Sequence, residues 1–141
     1  MSDRGPKDLL TRTAEDSRCS GEGRFSLPCA FRCAGEGIRY AFLSQRNLKI
    51  QGALGALAVI AGFVFRISQA EWLALVLCIM VVAVAEVVNT AIESVVDIAS
   101  PEWHPLAKSA KDAAAGAVLL ASIGSVACGL IIFVPHLFAL I

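Results

Sequence analysis

The sequence predicts an all-α membrane protein with three transmembrane helices and one amphipathic surface helix before them. Of its 141 residues, 57% are hydrophobic and only 17% are charged, and the mean hydropathy is +0.70. One domain of that composition is typical of an integral membrane protein. Three apolar segments are also long enough to cross a bilayer as helices, which takes roughly 20 residues each.

The N-terminal part is predicted to contain a mobile tail and then the surface helix. Residues 1–24 mix charged, small and glycine residues without sustained periodicity, which is typical of a mobile cytoplasmic tail. From about residue 25 to residue 46, apolar and basic side chains interleave. The interleaved residues are Phe31, Arg32, Ile38, Arg39, Phe42 and Arg46. Such a helix lies in the lipid headgroups with its arginines toward water; a connector helix in the cytoplasm is the alternative.

The three spans are predicted at about residues 48–67, 70–98 and 113–136, within one membrane domain that covers residues 25–141. A link of a few residues between the first two spans predicts a tight helical hairpin. Many small residues, such as Gly62 and Gly116, indicate close helix packing, because small side chains let backbones approach in lipid. The alternative is that Gly and Ala are simply common in membrane helices.

A short loop is predicted between the second and third spans. Pro101 and Pro105 are expected to break the helix there. Asp112 is then expected to open the third span, as a carboxylate at the positive end of the helix dipole.

The distribution of basic residues predicts the orientation of the chain. Nine of the twelve Lys and Arg residues fall within residues 1–49, and the loop before the third span adds Lys108 and Lys111. By the positive-inside rule, both regions are cytoplasmic and the C-terminus lies outside. About forty mostly polar residues precede the first span, which argues against a cleaved signal peptide.

We expect no nucleic-acid partner.

An acidic stripe on the second span is the main candidate for a functional site. Glu86, Asn89, Glu93 and Asp97 return to one face of a helix, and the opposite face is apolar. A carboxylate at membrane depth costs at least ~2.5–3.5 kcal/mol on insertion scales and needs partners. Carboxylate and amide oxygens with water form the ligand set of magnesium. A structural polar seam between protomers and a proton or cation transporter are the alternatives.

Two lysines lie near the cytoplasmic end of this stripe. Lys108 and Lys111 beside carboxylates suit a magnesium-bound polyphosphate, because the metal bridges phosphate oxygens while lysine neutralises their charge. Without the stripe, lone lysines at a membrane border would indicate topology anchors only. The sequence contains no Walker loop, Rossmann fingerprint or soluble-kinase signature, so any nucleotide site is of an unrelated kind.

Three motifs resemble one known family. EVVNTAIESVVD at residues 86–97 is similar to the E-x-x-N-S/T-A-I/V-E-x-x-V/I-D signature of the prokaryotic integral-membrane diacylglycerol kinases. AKD at residues 110–112 is similar to that family's A-K-D motif. HPLAK at residues 104–108 resembles the undecaprenol kinase branch of the family. The resemblance covers about residues 30–141.

The resemblance implies a homotrimer of three-span protomers in the bacterial inner (plasma) membrane, with each N-terminus cytoplasmic. It implies that ATP and Mg²⁺ are used to phosphorylate the hydroxyl of a membrane lipid alcohol. Undecaprenol is the expected substrate, and diacylglycerol is the alternative. A non-catalytic membrane scaffold and a cation-coupled transporter are more distant alternatives.

The resemblance also assigns roles to residues of this chain. Glu86 resembles the catalytic base that deprotonates the lipid alcohol, and Glu93 resembles a metal ligand. The positions that resemble nucleotide-binding residues are Asn89, Glu93, Glu102, His104, Lys111 and Asp112. Gln45 stands where the family typically has a second metal-ligating Glu; its amide oxygen can still coordinate magnesium, but without the negative charge. Gln51 occupies a position that is often His in the undecaprenol branch.

Overall fold

The computed structural model describes residues 27–139, and the regular secondary structure in this part of the chain is all α-helical. The helices are α1 (Leu27–Ser44), α2 (Arg46–Phe65), α3 (Gln69–Ala99) and α4 (Pro105–Phe138). The last three are long and apolar enough to cross a membrane. The predicted all-α membrane class with three spans is therefore confirmed. The predicted tail, residues 1–24, lies outside the described residues.

The chain divides into two compact units, with the boundary between Arg46 and Asn47. The first unit contains α1, which ends two residues earlier than expected. Glycines 35 and 37 lie inside this helix without interrupting it. Arg32 and Glu36 form an i,i+4 ion pair at 3.4 Å along it, the spacing at which helical side chains meet. Its place in the headgroup layer stays a prediction.

The second unit begins with the hairpin of α2 and α3. Arg66 has a φ of 52°, and two hydrogen bonds close the end of α2 around it. The Arg66 amide donates to the Phe63 carbonyl at 3.3 Å, and the Ile67 amide donates to the Gly62 carbonyl at 3.2 Å. This pair of bonds is the Schellman arrangement, which satisfies the last carbonyls of a helix.

A capping box starts α3 immediately after this turn. The Ser68 hydroxyl accepts a hydrogen bond from the Glu71 amide at 3.4 Å. In return, the Ser68 amide donates to Glu71 Oε2 at 2.6 Å. Both bonds satisfy donors that the first turn of a helix leaves free. The hairpin predicted from the short link is therefore fixed at both of its helix ends.

Apolar packing holds α2, α3 and α4 together near this turn. Ile67, Leu75 and Ile132 form a buried cluster to which all three helices contribute flanking side chains. The rings of Phe63 and Trp72 lie 4.8 Å apart between centroids. Further along the hairpin, Gly55 lies opposite Ile79, so α2 and α3 run antiparallel at close approach.

Helix α4 begins earlier than the sequence suggested. Pro105 is its first residue and His104 is its N-cap, with His104 Nδ1 accepting from the Leu106 amide at 3.2 Å. The expectation that Asp112 opens this helix is wrong, because Asp112 is its eighth residue. Proline at the first helical position lacks only an N–H that would be unpaired anyway, so Pro105 starts α4 instead of interrupting it.

Candidate active site

Side-chain contacts join the first turns of α2, the second half of α3 and the first turns of α4. The first turns of α2 meet the middle of α3 through Gln51 and Glu86. The last turn of α3 meets the start of α4 through Asp97 and Lys111. The residues of the acidic stripe therefore lie at one end of the three-helix unit, and the hairpin turn at Arg66 lies at the other.

Glu86 is the most deeply enclosed side chain of this end, with only 1% of its surface exposed. Its Oε1 accepts a hydrogen bond from Gln51 Nε2 at 3.0 Å, and the side chain of Asn47 is a further polar neighbour. The Thr90 hydroxyl donates to the Glu86 carbonyl at 2.9 Å. A carboxylate at this depth needs partners, and an amide side chain of α2 supplies one.

Asn89 and Glu93 form a second polar pair one and two turns further along α3. Asn89 is 7% exposed, and its Nδ2 donates to Glu93 Oε1 at 3.1 Å. Among the described residues, no donor reaches the buried Oδ1 atom of Asn89 or the buried Oε1 atom of Gln51. A buried acceptor without a partner costs about 1–3 kcal/mol, so these two oxygens mark positions where a ligand or water would be favourable.

The stripe becomes more exposed toward the end of α3. Glu86 and Asn89 are buried, Glu93 is partly buried, and Asp97 is exposed. The opposite face of the helix, which carries Val84, Val88 and Val95, is exposed and apolar throughout. The stripe therefore leads from an enclosed carboxylate to the helix end, as its spacing in the sequence predicted.

Two lysine–aspartate pairs lie at this end. Lys111 Nζ contacts Asp97 Oδ1 across α4 and α3, and Lys108 Nζ contacts Asp112 Oδ2 at 2.6 Å within α4. Lys111 is half-buried, whereas Lys108 and both aspartates are exposed. The structure thus brings Lys111 to the stripe and pairs Asp112 with the other lysine. Exposed pairs of this kind contribute about 0–1 kcal/mol, so they can rearrange around an anionic ligand.

The remaining candidates lie between helices. Glu102 and His104 are exposed in the loop between α3 and α4, where the Ser100 hydroxyl donates to the Glu102 carbonyl at 2.9 Å and His104 caps α4. Gln45 lies between α1 and α2, in the N-terminal unit. The nucleotide and metal roles of these residues stay predictions, as does the role of Glu86.

The oxygen atoms of the stripe suit magnesium with few protein ligands. Across residues 27–139, no three His, Cys, Asp or Glu side chains converge as a metal-binding group. Magnesium, however, is usually held by one or two carboxylates together with substrate phosphates and water. Glu93, beside the unpartnered Asn89 Oδ1, offers this kind of incomplete oxygen set. The residues present therefore fit a metal that arrives with a nucleotide.

The sequence did not predict the partners of Glu86. The sequence marks Gln51 only by the residue type at its position, and it gives no role to Asn47 or Thr90. One signal was available: Asn47 and Gln51 are four residues apart, so they share one face of α2. An amide facing an apolar helical hairpin needs a polar partner, and Glu86 is the enclosed carboxylate of the neighbouring helix.

An apolar groove of about 420 Å³ lies along α3 and α4 next to Asn89. Besides Asn89, its walls carry only apolar side chains. They are Met80, Val81, Val84, Ala85, Val88, Ile92, Ala114 and Ala117. This surface is suited to hydrocarbon, since apolar side chains give up no hydrogen bonds to it.

Comparison with known proteins agrees with this arrangement. Residues 32–133 match the prokaryotic diacylglycerol kinase family. The undecaprenol kinase of Bacillus subtilis (strain 168) is 42% identical over 108 residues, which are 77% of this chain and 88% of that relative. The diacylglycerol kinase of Synechocystis sp. is 40% identical over 116 residues, 82% of this chain and 66% of the relative. The diacylglycerol kinase of Escherichia coli (strain K12) is 32% identical over 101 residues, which are 72% of this chain and 83% of that relative.

The three-span fold, the acidic stripe and these relatives together define a membrane-integral lipid kinase. The chain belongs to the prokaryotic diacylglycerol kinase family. The resemblance drawn from residues 86–97 and 110–112 is therefore confirmed, and the enzyme class with it. The scaffold and transporter alternatives are set aside.

Proposed function

We propose that the protein transfers the γ-phosphate of MgATP to the hydroxyl of a membrane lipid alcohol, with undecaprenol as the substrate. The observation that carries this proposal is the enclosure of Glu86. A carboxylate that is 1% exposed, lies in a spanning helix and is held by an amide of a second helix suits a base that meets a lipid headgroup. It does not suit a solvent-facing charge.

Glu86 acts as the general base of the reaction. One of its oxygens, Oε1, accepts the Gln51 hydrogen bond, so Oε2 is the oxygen that takes the proton from the lipid hydroxyl. The lipid oxygen then bonds to the γ-phosphorus, and the bond from that phosphorus to the oxygen bridging to the β-phosphate breaks. ADP leaves with the electron pair of that bond. Positioning and charge neutralisation supply most of the acceleration.

Glu93, Asn89 and Lys111 act on the phosphates. Glu93 and the unpartnered Asn89 Oδ1 would hold magnesium. When bound, the metal neutralises phosphate charge. Lys111, at the end of the stripe beside Asp97, adds the positive charge of a lysine. Asp112, Glu102 and His104 contact the nucleotide from the start of α4 and the loop before it.

Undecaprenol and diacylglycerol are both supported as substrates. The 42% identity to an undecaprenol kinase and the HPLAK stretch at residues 104–108 favour undecaprenol. The 40% identity to a diacylglycerol kinase supports diacylglycerol almost equally. Both lipids present one primary hydroxyl, so the chemistry of the stripe serves either. The apolar surface around that hydroxyl is what has to distinguish them.

The enzyme acts as a homotrimer at the cytoplasmic face of the bacterial inner membrane. Contacts within residues 47–139 support this orientation, because Lys49, Lys108 and Lys111 lie at the same end of the three-helix unit as the stripe. The positive-inside rule assigns that end to the cytoplasm, where ATP is available. The C-terminus is then outside.

Phosphate transfer from labelled ATP tests the proposal. Purified protein in mixed micelles is offered undecaprenol and diacylglycerol in parallel, each with magnesium and with a chelator. We expect magnesium-dependent labelling of undecaprenol. A clear preference for diacylglycerol would keep the chemistry and reverse the substrate. Labelling of neither lipid by folded, trimeric protein would contradict the kinase proposal and direct attention to Gln45.

A further inference from the structure

The Gln51 side chain has one hydrogen bond among the described residues, and it is to the proposed base. Its Nε2 donates to Glu86 Oε1 at 3.0 Å, across the interface of α2 and α3. We propose that Gln51 is a positioning residue, which holds Oε1 of Glu86 so that Oε2 faces the lipid hydroxyl. This inference rests on the proposed role of Glu86 as the base.

The direction of this hydrogen bond is fixed by chemistry. An ionised carboxylate only accepts hydrogen bonds, and an amide donates only through its nitrogen. Gln51 must therefore turn Nε2 toward Glu86, and it occupies one of the two carboxylate oxygens. A glutamate side chain has several rotatable bonds, so a contact from a second helix restricts it more than a contact within α3 would.

The other end of the Gln51 amide supports a functional reading of the contact. Its Oε1 is buried and has no donor among the described residues. An amide that served only to join two helices would be expected to have both ends satisfied, since an unpaired buried acceptor is costly. The orientation of Gln51 is thus set by Glu86, and Oε1 remains available to a donor such as water when the site is filled.

Asn47 limits how far the orientation of the Glu86 side chain depends on Gln51. It lies one turn earlier on the same face of α2 and is a further polar neighbour of the Glu86 side chain. Loss of Gln51 therefore leaves the base present but less well oriented. Misplacement of a reacting group by about 1 Å can cost roughly 100-fold in rate. We expect the loss of Gln51 to lower kcat by about 10- to 100-fold.

Two variants separate the effect of the hydrogen-bond donor at position 51 from the effect of side-chain shape. Gln51→Met keeps the length of the side chain and removes the donor. Gln51→His keeps an N–H and is the residue often found here in the undecaprenol branch. Gln69→Met is the matched control, because Gln69 is exposed at the start of α3, at the opposite end from the stripe. The readouts are kcat, KM for ATP, KM for the lipid that accepts phosphate, oligomeric state and thermal unfolding.

We expect Gln51→Met to lose kcat with both KM values changed by less than about 3-fold, since orientation of the base acts in the transition state. Gln51→His should recover most of the lost rate, and Gln69→Met should match the unmodified protein. Unchanged kcat in a folded Gln51→Met variant would overturn the inference. A loss of kcat that only reflects a smaller amount of folded protein would also overturn the inference.

A double variant separates this inference from the proposed function. In the Glu86→Gln background, Gln51→Met should cause little further loss, because the group to be positioned is gone. If the two losses multiply instead, Gln51 acts independently of Glu86 and the inference fails. If Glu86→Gln is fully active, the base itself is wrongly assigned. If Glu86→Gln is inactive and Gln51→Met is fully active, the base stands and only the positioning role is wrong.

Discussion

Chemically similar side chains of the stripe on α3 lie in different environments. Glu86 is enclosed and receives an amide donor from α2, whereas Asp97 is exposed and paired with Lys111. Glu93 lies between them and receives the Asn89 amide. Enclosure suits the proposed base, and exposure suits the groups proposed to bind a nucleotide from the aqueous side.

Glu86→Gln tests the proposed base directly. A glutamine has nearly the same shape, so the packing around position 86 should persist, but its amide cannot take a proton at neutral pH. General-base catalysis contributes about 10²- to 10⁴-fold to the rate. We therefore expect turnover to fall by at least about 10²-fold. Trimer assembly and ATP binding should stay largely intact. Near-normal turnover in the labelled-ATP assay would contradict the assignment.

The sequence predicted the stripe itself but not what surrounds it. The spacing of Glu86, Asn89, Glu93 and Asp97 follows from helix geometry alone, so one sequence was enough to align them. The hydrogen bond from Gln51 depends on how far α2 is shifted along α3. That register is set by the hairpin turn at Arg66 and by the packing of Trp72 against α2, which a residue pattern does not encode.

At the scale of the element, close packing in the hairpin depends on Gly62. A Cβ atom built there would lie 2.9 Å from the Trp72 ring and 3.1 Å from Ile67. The ring cannot yield, because it also packs on Phe63. Gly116 on α4 differs, since a Cβ there meets no described atom within 4 Å. The prediction that small residues permit close approach is supported by the contacts at Gly62, whereas Gly116 has open space within its own chain.

Gly62→Ala should therefore destabilise the protein, and Gly116→Ala should not. Overpacking typically costs about 1–3 kcal/mol, whereas alanine in a helix interior is favoured over glycine by roughly 0.5–1 kcal/mol. Thermal unfolding in detergent, followed by circular dichroism, compares the two variants. Equal stability of both would contradict the close contact at Trp72. A loss at Gly116 alone would indicate that a neighbouring protomer packs against α4.

Helix boundaries were predicted well where turn chemistry is local and less well where it depends on context. The link at Ser68 is short and its capping box involves residues 68 and 71 only, so the hairpin was predictable. Pro105 could either interrupt a helix or begin one. The choice depends on His104 accepting the Leu106 amide, a contact that residue type does not require.

At the scale of the whole molecule, the two ends of the three-helix unit are held differently. The end with the hairpin turn has the buried cluster of Ile67, Leu75 and Ile132. The end with the stripe is crossed by polar contacts of Glu86 and Asp97, and within the described residues its carboxylates do not form a complete metal-binding group. An incomplete site on each chain is expected if substrates and a neighbouring protomer complete it.

Mixing two inactive variants tests whether protomers share a site. Glu86→Gln removes the proposed base on α3, and Lys111→Ala removes the positive charge on α4 that is proposed to act on the phosphates. If each site takes Glu86 from one chain and Lys111 from its neighbour, mixed trimers regain one intact site each. Random assembly of equal amounts in a cyclic trimer then restores about a quarter of the original sites.

We expect this partial recovery when the two variants are denatured together, refolded as mixed trimers and assayed with labelled ATP. Each variant treated alone is the control and should stay inactive, because its trimers lack one group at every site. If both groups come from the same chain, no mixed trimer contains an intact site and activity stays at the level of the controls. That outcome, in trimers shown by cross-linking to contain both variants, would contradict sharing between these two residues. It would also mean that the Asp97–Lys111 contact within one chain already joins the two halves of the site.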